Sequence, residues 1–215
     1  KNHELMVESL EKAKELANEI KNDIDNAYVN YGYARYYLSV KQYDLFVKSL
    51  NQAIDIFSKK ENENFILTQL YYLNLKYKLQ NLLEKDIRKD CVKANEHAIK
   101  SGKNILISFT YNNLAYYYKQ KYDELNEKAY IDSAKIVYEK AIDFGNLIDD
   151  STAKKRTLIV SYLNQRLTAS NENPIPITEQ LSNYQKALEL AKDDHSIDDL
   201  QSHLYNNIGF TYDQL

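Results

Sequence analysis

Apolar residues recur along this chain at intervals of three, four and seven positions, a spacing that places them on one face of a helix. The first such stripe consists of Met6, Leu10, Ala13 and Ile20. Similar stripes follow along the rest of the chain and predict about ten helices. The predicted helices cover approximately residues 4–20, 24–40, 43–58, 64–80, 84–101, 104–121, 127–144, 151–168, 178–192 and 196–215.

Residues that end or begin helices stand between these stripes. Gly102 follows the fifth predicted helix where a left-handed C-cap would lie, and Gly145 is predicted to close the seventh. Residues 149–151 offer side-chain oxygens that can cap the N-terminus of the eighth helix. Both prolines fall within residues 171–176, which form the clearest predicted loop.

Two stretches of the chain nearly repeat each other. Residues 111–118 read Tyr-Asn-Asn-Leu-Ala-Tyr-Tyr-Tyr, and residues 205–212 read Tyr-Asn-Asn-Ile-Gly-Phe-Thr-Tyr. A fixed pattern that recurs within one chain is typical of repeat proteins, in which each unit buries its apolar face against its neighbours. The repetition favours a binding scaffold over a catalyst.

The predicted helices alternate between two types of stripe. One type, large-Gly/Ala-x-x-Tyr, occurs at residues 33–37, 114–118 and 208–212. The other, small-x-x-x-aromatic-x-x-small, is complete at Ala134, Tyr138 and Ala141. Partial versions of the second stripe occur at Phe46-x-x-x-Leu50-x-x-Ala53, Cys91-x-x-x-Asn95-x-x-Ala98 and Gln180-x-x-x-Tyr184-x-x-Ala187.

This alternation resembles the tetratricopeptide repeat (TPR), a helix-turn-helix unit of about 34 residues. The resemblance implies an all-α fold, a right-handed α-α superhelix (TPR-like solenoid) of about ten antiparallel helices that covers residues 1–215 as one repeat domain. The small residues Ala34, Ala115 and Gly209 are 81 and 94 positions apart, which divides into repeats of about 40 and 47 residues. Such enlarged repeats are similar to those of bacterial regulatory proteins.

Composition agrees with a helical chain and narrows its partners. The chain of 215 residues is 44% apolar and 27% charged, and it contains four Gly and two Pro. Its net charge is −3 with basic residues scattered among acidic ones, which argues against nucleic-acid binding by this segment. No apolar run approaches the roughly 18 to 20 residues that span a bilayer, so no membrane insertion is predicted. The sequence does not distinguish a cytoplasmic from a periplasmic location.

Residues that could carry chemistry form no recognisable catalytic or metal-binding motif. His195 and His203 lie among aspartates, but their spacing matches neither a zinc nor a calcium motif, and a capped polar loop is the favoured interpretation. Cys91, the single cysteine, stands where a small packing residue is expected, and a buried inert thiol is favoured. The sequence therefore predicts no enzyme activity, no cofactor and no metal.

The predicted ligand-binding residues lie on the face that lines the inside of the superhelix in TPR proteins. An asparagine amide can bond both the C=O and the N–H of an extended peptide, and tyrosine offers contact area together with a hydroxyl group. The alternatives are a local cap or an interhelical hydrogen bond for the asparagines, and helix packing for the tyrosines. The candidate residues are Arg35, Tyr72, Asn112, Asn113, Tyr116, Asn206 and Asn207.

The leading functional hypothesis is a protein- or peptide-binding domain that serves as the sensory or interaction part of a bacterial transcriptional regulator or signalling protein. The alternatives are a peptide-gated conformational switch and a structural adaptor in assembly or secretion. The first predicted helix reads like the second helix of a repeat, and the last like a first helix. We therefore expect either a longer parent protein or a homodimer formed through the terminal helices.

Overall fold

The apolar stripes form ten α-helices in the computed structural model, which describes residues 2–81, 87–169, 174–192 and 194–213. The chain divides into two compact units, Lys1–Ser101 and Gly102–Leu215. The first unit contains α1 (Asn2–Ile20), α2 (Asp23–Ser39), α3 (Tyr43–Phe57), α4 (Asn64–Gln80) and α5 (Ile87–Ser101). The second contains α6 (Asn104–Leu125), α7 (Lys128–Asn146), α8 (Ser151–Leu163), α9 (Ile177–Ala191) and α10 (Asp198–Tyr212).

Helices of the first unit pack in sequential pairs. Helix α1 packs on α2, α2 on α3, and α4 on α5. The apolar stripes of α2, α3, α4 and α5 meet in one core, in which small residues allow close approach and large ones fill the space between helices. That core is formed by Ala27, Ala34, Leu38, Phe46, Leu50, Ala53, Phe57, Ile66, Leu67, Leu70, Tyr71 and Ala94.

The second unit follows the same scheme with two short 3-10 helices added. Helix α6 packs on α7 along much of its length, and α9 packs on both α8 and α10. The 3-10 helix Asn164–Thr168 extends α8, and His195–Ile197 precedes α10. One core cluster of this unit joins α8, α9 and α10 through Ile159, Tyr184, Ala187, Ala191, Ile197 and Leu204.

Several helix ends follow the predicted capping chemistry. The Asp150 carboxylate accepts a hydrogen bond from the Ala153 N–H at 2.7 Å and caps α8. Gly102 has a φ of +66°, the left-handed conformation that was expected after α5. The prediction for Gly145 was wrong. It lies inside α7 and is buried against Leu158, where an added Cβ would come within 2.9 Å of the Leu158 Cδ2.

The predicted fold class is confirmed: the described chain is all-helical, and its ten helices pack in adjacent pairs. Turns of two or three residues join α2 to α3 and α6 to α7, so these paired helices run antiparallel. The arrangement is consistent with a helical-repeat solenoid. Among the described helices, none is long and apolar enough to cross a membrane.

Candidate functional site

The first asparagine of the Tyr-Asn-Asn stretch in α6 is buried between helices. The amide nitrogen of Asn112 donates to the Ser108 carbonyl oxygen at 3.2 Å and to the Ser161 hydroxyl of α8 at 2.9 Å. Its amide oxygen accepts from the Asn164 amide at 3.4 Å, and the residue is only 6% exposed. Because both amide protons already have acceptors, Asn112 has no donor left for a ligand. The structure therefore favours the interhelical alternative at this position.

The remaining asparagines and Tyr116 are more accessible. Asn206 is exposed, and Asn113 and Asn207 are half-buried; none of the three makes a side-chain hydrogen bond to a described residue. Tyr116 is exposed, and its hydroxyl oxygen accepts a hydrogen bond from the Gln120 amide at 3.1 Å. Asn113 and Tyr116 are three positions apart and so lie on one side of α6. Their role in ligand binding stays a prediction.

The two candidates of the first unit lie in different surroundings. The exposed Arg35 guanidinium stands 5.7 Å from the centre of the Tyr31 ring, and Arg35 lines a cleft of about 530 Å³. Lys41 and Lys76 line the same cleft, which no acidic residue of the described chain lines. Tyr72 is half-buried in α4, where burial raises the pKa of its phenol. The cleft around Arg35 is thus basic, which the sequence did not indicate.

A cleft of about 740 Å³ lies between α1, α2 and α3 of the first unit. Tyrosines and side-chain amides line it, including Tyr33 and Tyr37, whose rings stack with centres 5.7 Å apart. Glu11 at the cleft and burial of the ring together raise the pKa of the Tyr33 phenol, with burial the larger cause. Among the described residues that line this cleft, no buried polar atom lacks a hydrogen bond.

The second unit has a cleft of about 600 Å³ bordered by α7, the 3-10 helix that follows α8, and α9. Helix α7 contributes Tyr138 and α9 contributes Glu179, while Gln165 stands between them on the 3-10 helix. The Gln165 amide nitrogen donates to the Glu179 carboxylate at 3.1 Å. The other lining residues are Lys135, Glu139, Ile142, Tyr162, Thr168, Pro174, Ile175, Pro176, Asn183 and Lys186.

Two buried polar atoms of this cleft lack hydrogen-bond partners within the described chain. They are the hydroxyl oxygen of Tyr138, a residue 7% exposed, and the Oε1 of Gln165, a residue 3% exposed. Burial is the main cause that raises the pKa of Tyr138, and the nearby Tyr162 and Glu179 add to it, so the phenol stays protonated. A buried polar atom without a partner is rare in folded proteins and marks a place where water or a ligand completes the bonding.

From the sequence, Tyr138 is expected to pack between helices with its phenol edge toward water or a partner, and Gln165 is not singled out. The packing role of Tyr138 is real, because its ring meets Ala115 of α6 in a buried cluster. Whether its hydroxyl finds a partner depends on the residues of the elements packed against α7, which the sequence of α7 does not contain. The 3-10 helix that carries Gln165 has no sequence motif. No pattern of spacing could have joined residues from three elements into one cleft.

Cys91 is buried as expected, and the region of His195 is a capped polar loop, although Asp194 provides the cap and not Ser196 with Asp199. His195 is almost fully exposed, and Asp194 accepts from both the N–H and the hydroxyl of Ser196 as a cap of the short 3-10 helix. Burial and the adjacent Asp90 raise the pKa of the buried Cys91 thiol to about 12. Within the described ranges, no three His, Cys, Asp or Glu side chains are grouped as metal ligands would be.

Comparison of the chain with family models, with curated proteins and with solved structures gives no match. The resemblance to TPR proteins therefore stays a resemblance, carried by the stripes on the helices and by the paired packing described above.

Proposed function

We propose that this chain is a non-enzymatic scaffold that binds an extended segment of a protein or peptide, and that the cleft between α7 and α9 is its binding site. The observation that carries the proposal is the pair of buried, unpartnered atoms, the Tyr138 hydroxyl and the Gln165 Oε1. A peptide unit offers one N–H donor and one C=O acceptor. The N–H would donate to Gln165 and the C=O would accept from the Tyr138 hydroxyl.

The energetics of burial favour a ligand of this kind. A buried polar group without a hydrogen bond costs about 1–3 kcal/mol, so completing two such groups adds to the affinity. The rest of the lining suits a main-chain ligand. Two basic residues, Lys135 and Lys186, and two acidic residues, Glu139 and Glu179, line the cleft, so it has no strong preference for one sign of charge. Its apolar lining includes Ile142 and residues 174–176.

The proposed biological role rests on the resemblance and on no structural neighbour. Enlarged TPR-like repeats with Tyr-Asn-Asn stretches support placing this binding function in the sensory or interaction part of a bacterial regulator or signalling protein. The two alternative functions differ from this role in the consequence of binding: in a peptide-gated switch the bound peptide changes the conformation of the chain, and in a structural adaptor it holds an assembly together. Compaction of the chain in solution scattering on addition of a bound peptide would favour the switch.

A peptide library displayed on phage tests the site directly. We expect enriched peptides to bind the wild-type chain, and Tyr138→Phe to weaken them by about five- to tenfold through loss of one hydrogen bond. Tyr138→Phe also removes an unpartnered polar atom, so its melting temperature should be equal to or above that of the wild type. The matched control is Tyr118→Phe, because Tyr118 is a half-buried tyrosine of α6 that does not line the cleft. This variant should bind the enriched peptides as tightly as the wild type does.

Three results would count against the proposal. No peptide is enriched, the enriched peptides bind Tyr138→Phe as tightly as the wild type, or Tyr138→Phe and Tyr118→Phe weaken binding equally. The last two outcomes would remove the α7–α9 cleft from the binding site even if the chain binds peptides elsewhere.

A further inference from the structure

The residues by which α6 packs on α7 recur in α10. The similarity between the two helices extends beyond the Tyr-Asn-Asn stretch. In α6 the shared positions are Ser108, Tyr111, Leu114, Ala115 and Tyr118, and in α10 they are Ser202, Tyr205, Ile208, Gly209 and Tyr212. Four of the five, all but Leu114 and its counterpart, lie within one narrow sector of an ideal helix. The chain therefore contains two copies of one helix-binding stripe.

In α6 this stripe is covered by α7. The Ser108 hydroxyl donates to the Ala141 carbonyl oxygen at 2.5 Å, and the Tyr111 ring stacks on Phe144 with centres 5.8 Å apart. Ala115 is fully buried against the Tyr138 ring. The small residue at position 115 is what allows the large aromatic side chain of α7 to approach the helix backbone.

In α10 the equivalent positions are exposed apart from Ile208, which is half-buried and packs against the core cluster of α8, α9 and α10. Tyr205 is 62% exposed, Tyr212 is 53% exposed, and Ser202 is exposed. A methyl group placed on Gly209 would meet no described atom within 4 Å. The opposite side of α10 is well packed, since Leu204 and Thr211 are buried against the rest of the unit. The open stripe is thus a formed surface on an anchored helix.

We propose that this stripe of α10 docks an antiparallel partner helix that resembles α7, with the pattern small-x-x-x-aromatic-x-x-small. The aromatic residue would fill the space above Gly209, as Tyr138 does above Ala115. Charge supports the same chemistry. Helix α10 contains two aspartates, Asp198 and Asp199, and neither Lys nor Arg, and in α7 the Lys140 ammonium stands 5.6 Å from the centre of the Tyr111 ring. A basic residue beside the second small position would meet Tyr205 and the exposed Asp198 at the start of α10, since Asp199 is already paired with Arg156 of α8.

A second copy of this chain fits the stripe less well. Helix α1 exposes Leu5, Leu16 and Ile20 but contains no aromatic residue, so it cannot supply the side chain that the open space above Gly209 would take. Helix α7 of a second copy is already packed on its own α6. The proposal does not depend on the α7–α9 cleft, because none of the α10 residues lines that cleft.

A synthetic peptide with the sequence of residues 128–146, which is α7 itself, is the probe. We expect it to bind the full chain in a fluorescence-anisotropy titration and to bind Gly209→Leu at least about tenfold more weakly, because the leucine occupies the space that the peptide's tyrosine needs. Gly209→Ala restores the residue found in α6 and should bind like the wild type. Phe210→Ala removes a neighbouring exposed aromatic on another side of α10 and should also leave binding unchanged.

Two kinds of result would overturn the proposal. The first is a peptide that does not bind, or that binds Gly209→Leu as well as the wild type; the latter result would indicate exchange with the chain's own α7. The second is wild-type self-association in sedimentation equilibrium that Gly209→Leu abolishes, which would assign the stripe to a second copy of the chain.

Discussion

Replacing Asn112 with Ala should destabilise the chain, whereas the same replacement at the next residue, Asn113, should stabilise it slightly. Both residues are asparagines in the middle of α6, so intrinsic helix propensity affects them alike. They differ in surroundings. Asn112 is bonded to Ser108 and Ser161, whereas the Asn113 side chain makes no hydrogen bond to the described part of the chain.

The magnitude follows from the bonds that are lost. Asn112→Ala removes two hydrogen bonds of ordinary length, at 3.2 and 2.9 Å, and a longer one from Asn164. At about 0.5–1.5 kcal/mol for each ordinary bond, the loss is about 1–3 kcal/mol. Ala is the better helix former by about 0.5 kcal/mol, which offsets part of that loss and leaves a net loss of about 0.5–2.5 kcal/mol. Asn113→Ala keeps only the favourable contribution of about 0.5 kcal/mol.

Thermal unfolding followed by far-ultraviolet circular dichroism measures the difference. The two free energies of unfolding should differ by about 2 kcal/mol, which corresponds to about 4–8 °C for a chain of this length. Urea titrations of both variants provide an independent measure of the same difference. Equal shifts for the two variants, or a larger loss for Asn113→Ala, would refute the assignment of Asn112 to interhelical bonding.

Three further predictions concern single residues. Gly209→Ala should raise the free energy of unfolding by about 0.5–1 kcal/mol in urea titration, because the helix gains propensity where space is open; a loss would contradict the geometry of α10. The Cys91 thiol should react with a thiol reagent at pH 8 only as fast as the chain unfolds, because burial and Asp90 raise its pKa to about 12, and rapid reaction in native buffer would contradict this burial. Burial and the nearby Lys100 lower the pKa of His97 below 6.5, so the unfolded chain binds the proton more tightly. Stability should therefore fall as pH drops below about 6.5, and His97→Gln should show a smaller fall in urea midpoint between pH 7.5 and 5.

The helices could be predicted from sequence because their signals are local. A stripe at spacings of three and four positions needs only the chain itself, and the caps at Asp150 and Gly102 act within a few residues. Gly145 shows where local reasoning fails. Glycine ends helices and also permits close packing, and only the position of Leu158 on another helix distinguishes the two uses.

The candidate site was less predictable because its residues depend on contacts that are distant in sequence. Asn112 is bonded to Ser161, 49 positions away, and helical periodicity determines only the direction in which a side chain points. It does not identify the atom that the side chain meets. The Tyr138 hydroxyl and Gln165 Oε1 come together only when α7 and the turn after α8 are placed side by side.

The two Tyr-Asn-Asn stretches show that one motif can serve two purposes within a chain. In α6, a serine of α8 satisfies Asn112, whereas its counterpart Asn206 in α10 is exposed and makes no side-chain hydrogen bond to a described residue. Because the residues are the same, the neighbouring helix decides the role. Ligand-binding residues should therefore be sought where the packed structure leaves polar atoms or helix faces unpartnered. In the second unit that criterion selects the cleft of Tyr138 and Gln165, and the open stripe around Gly209, ahead of the repeated asparagines themselves.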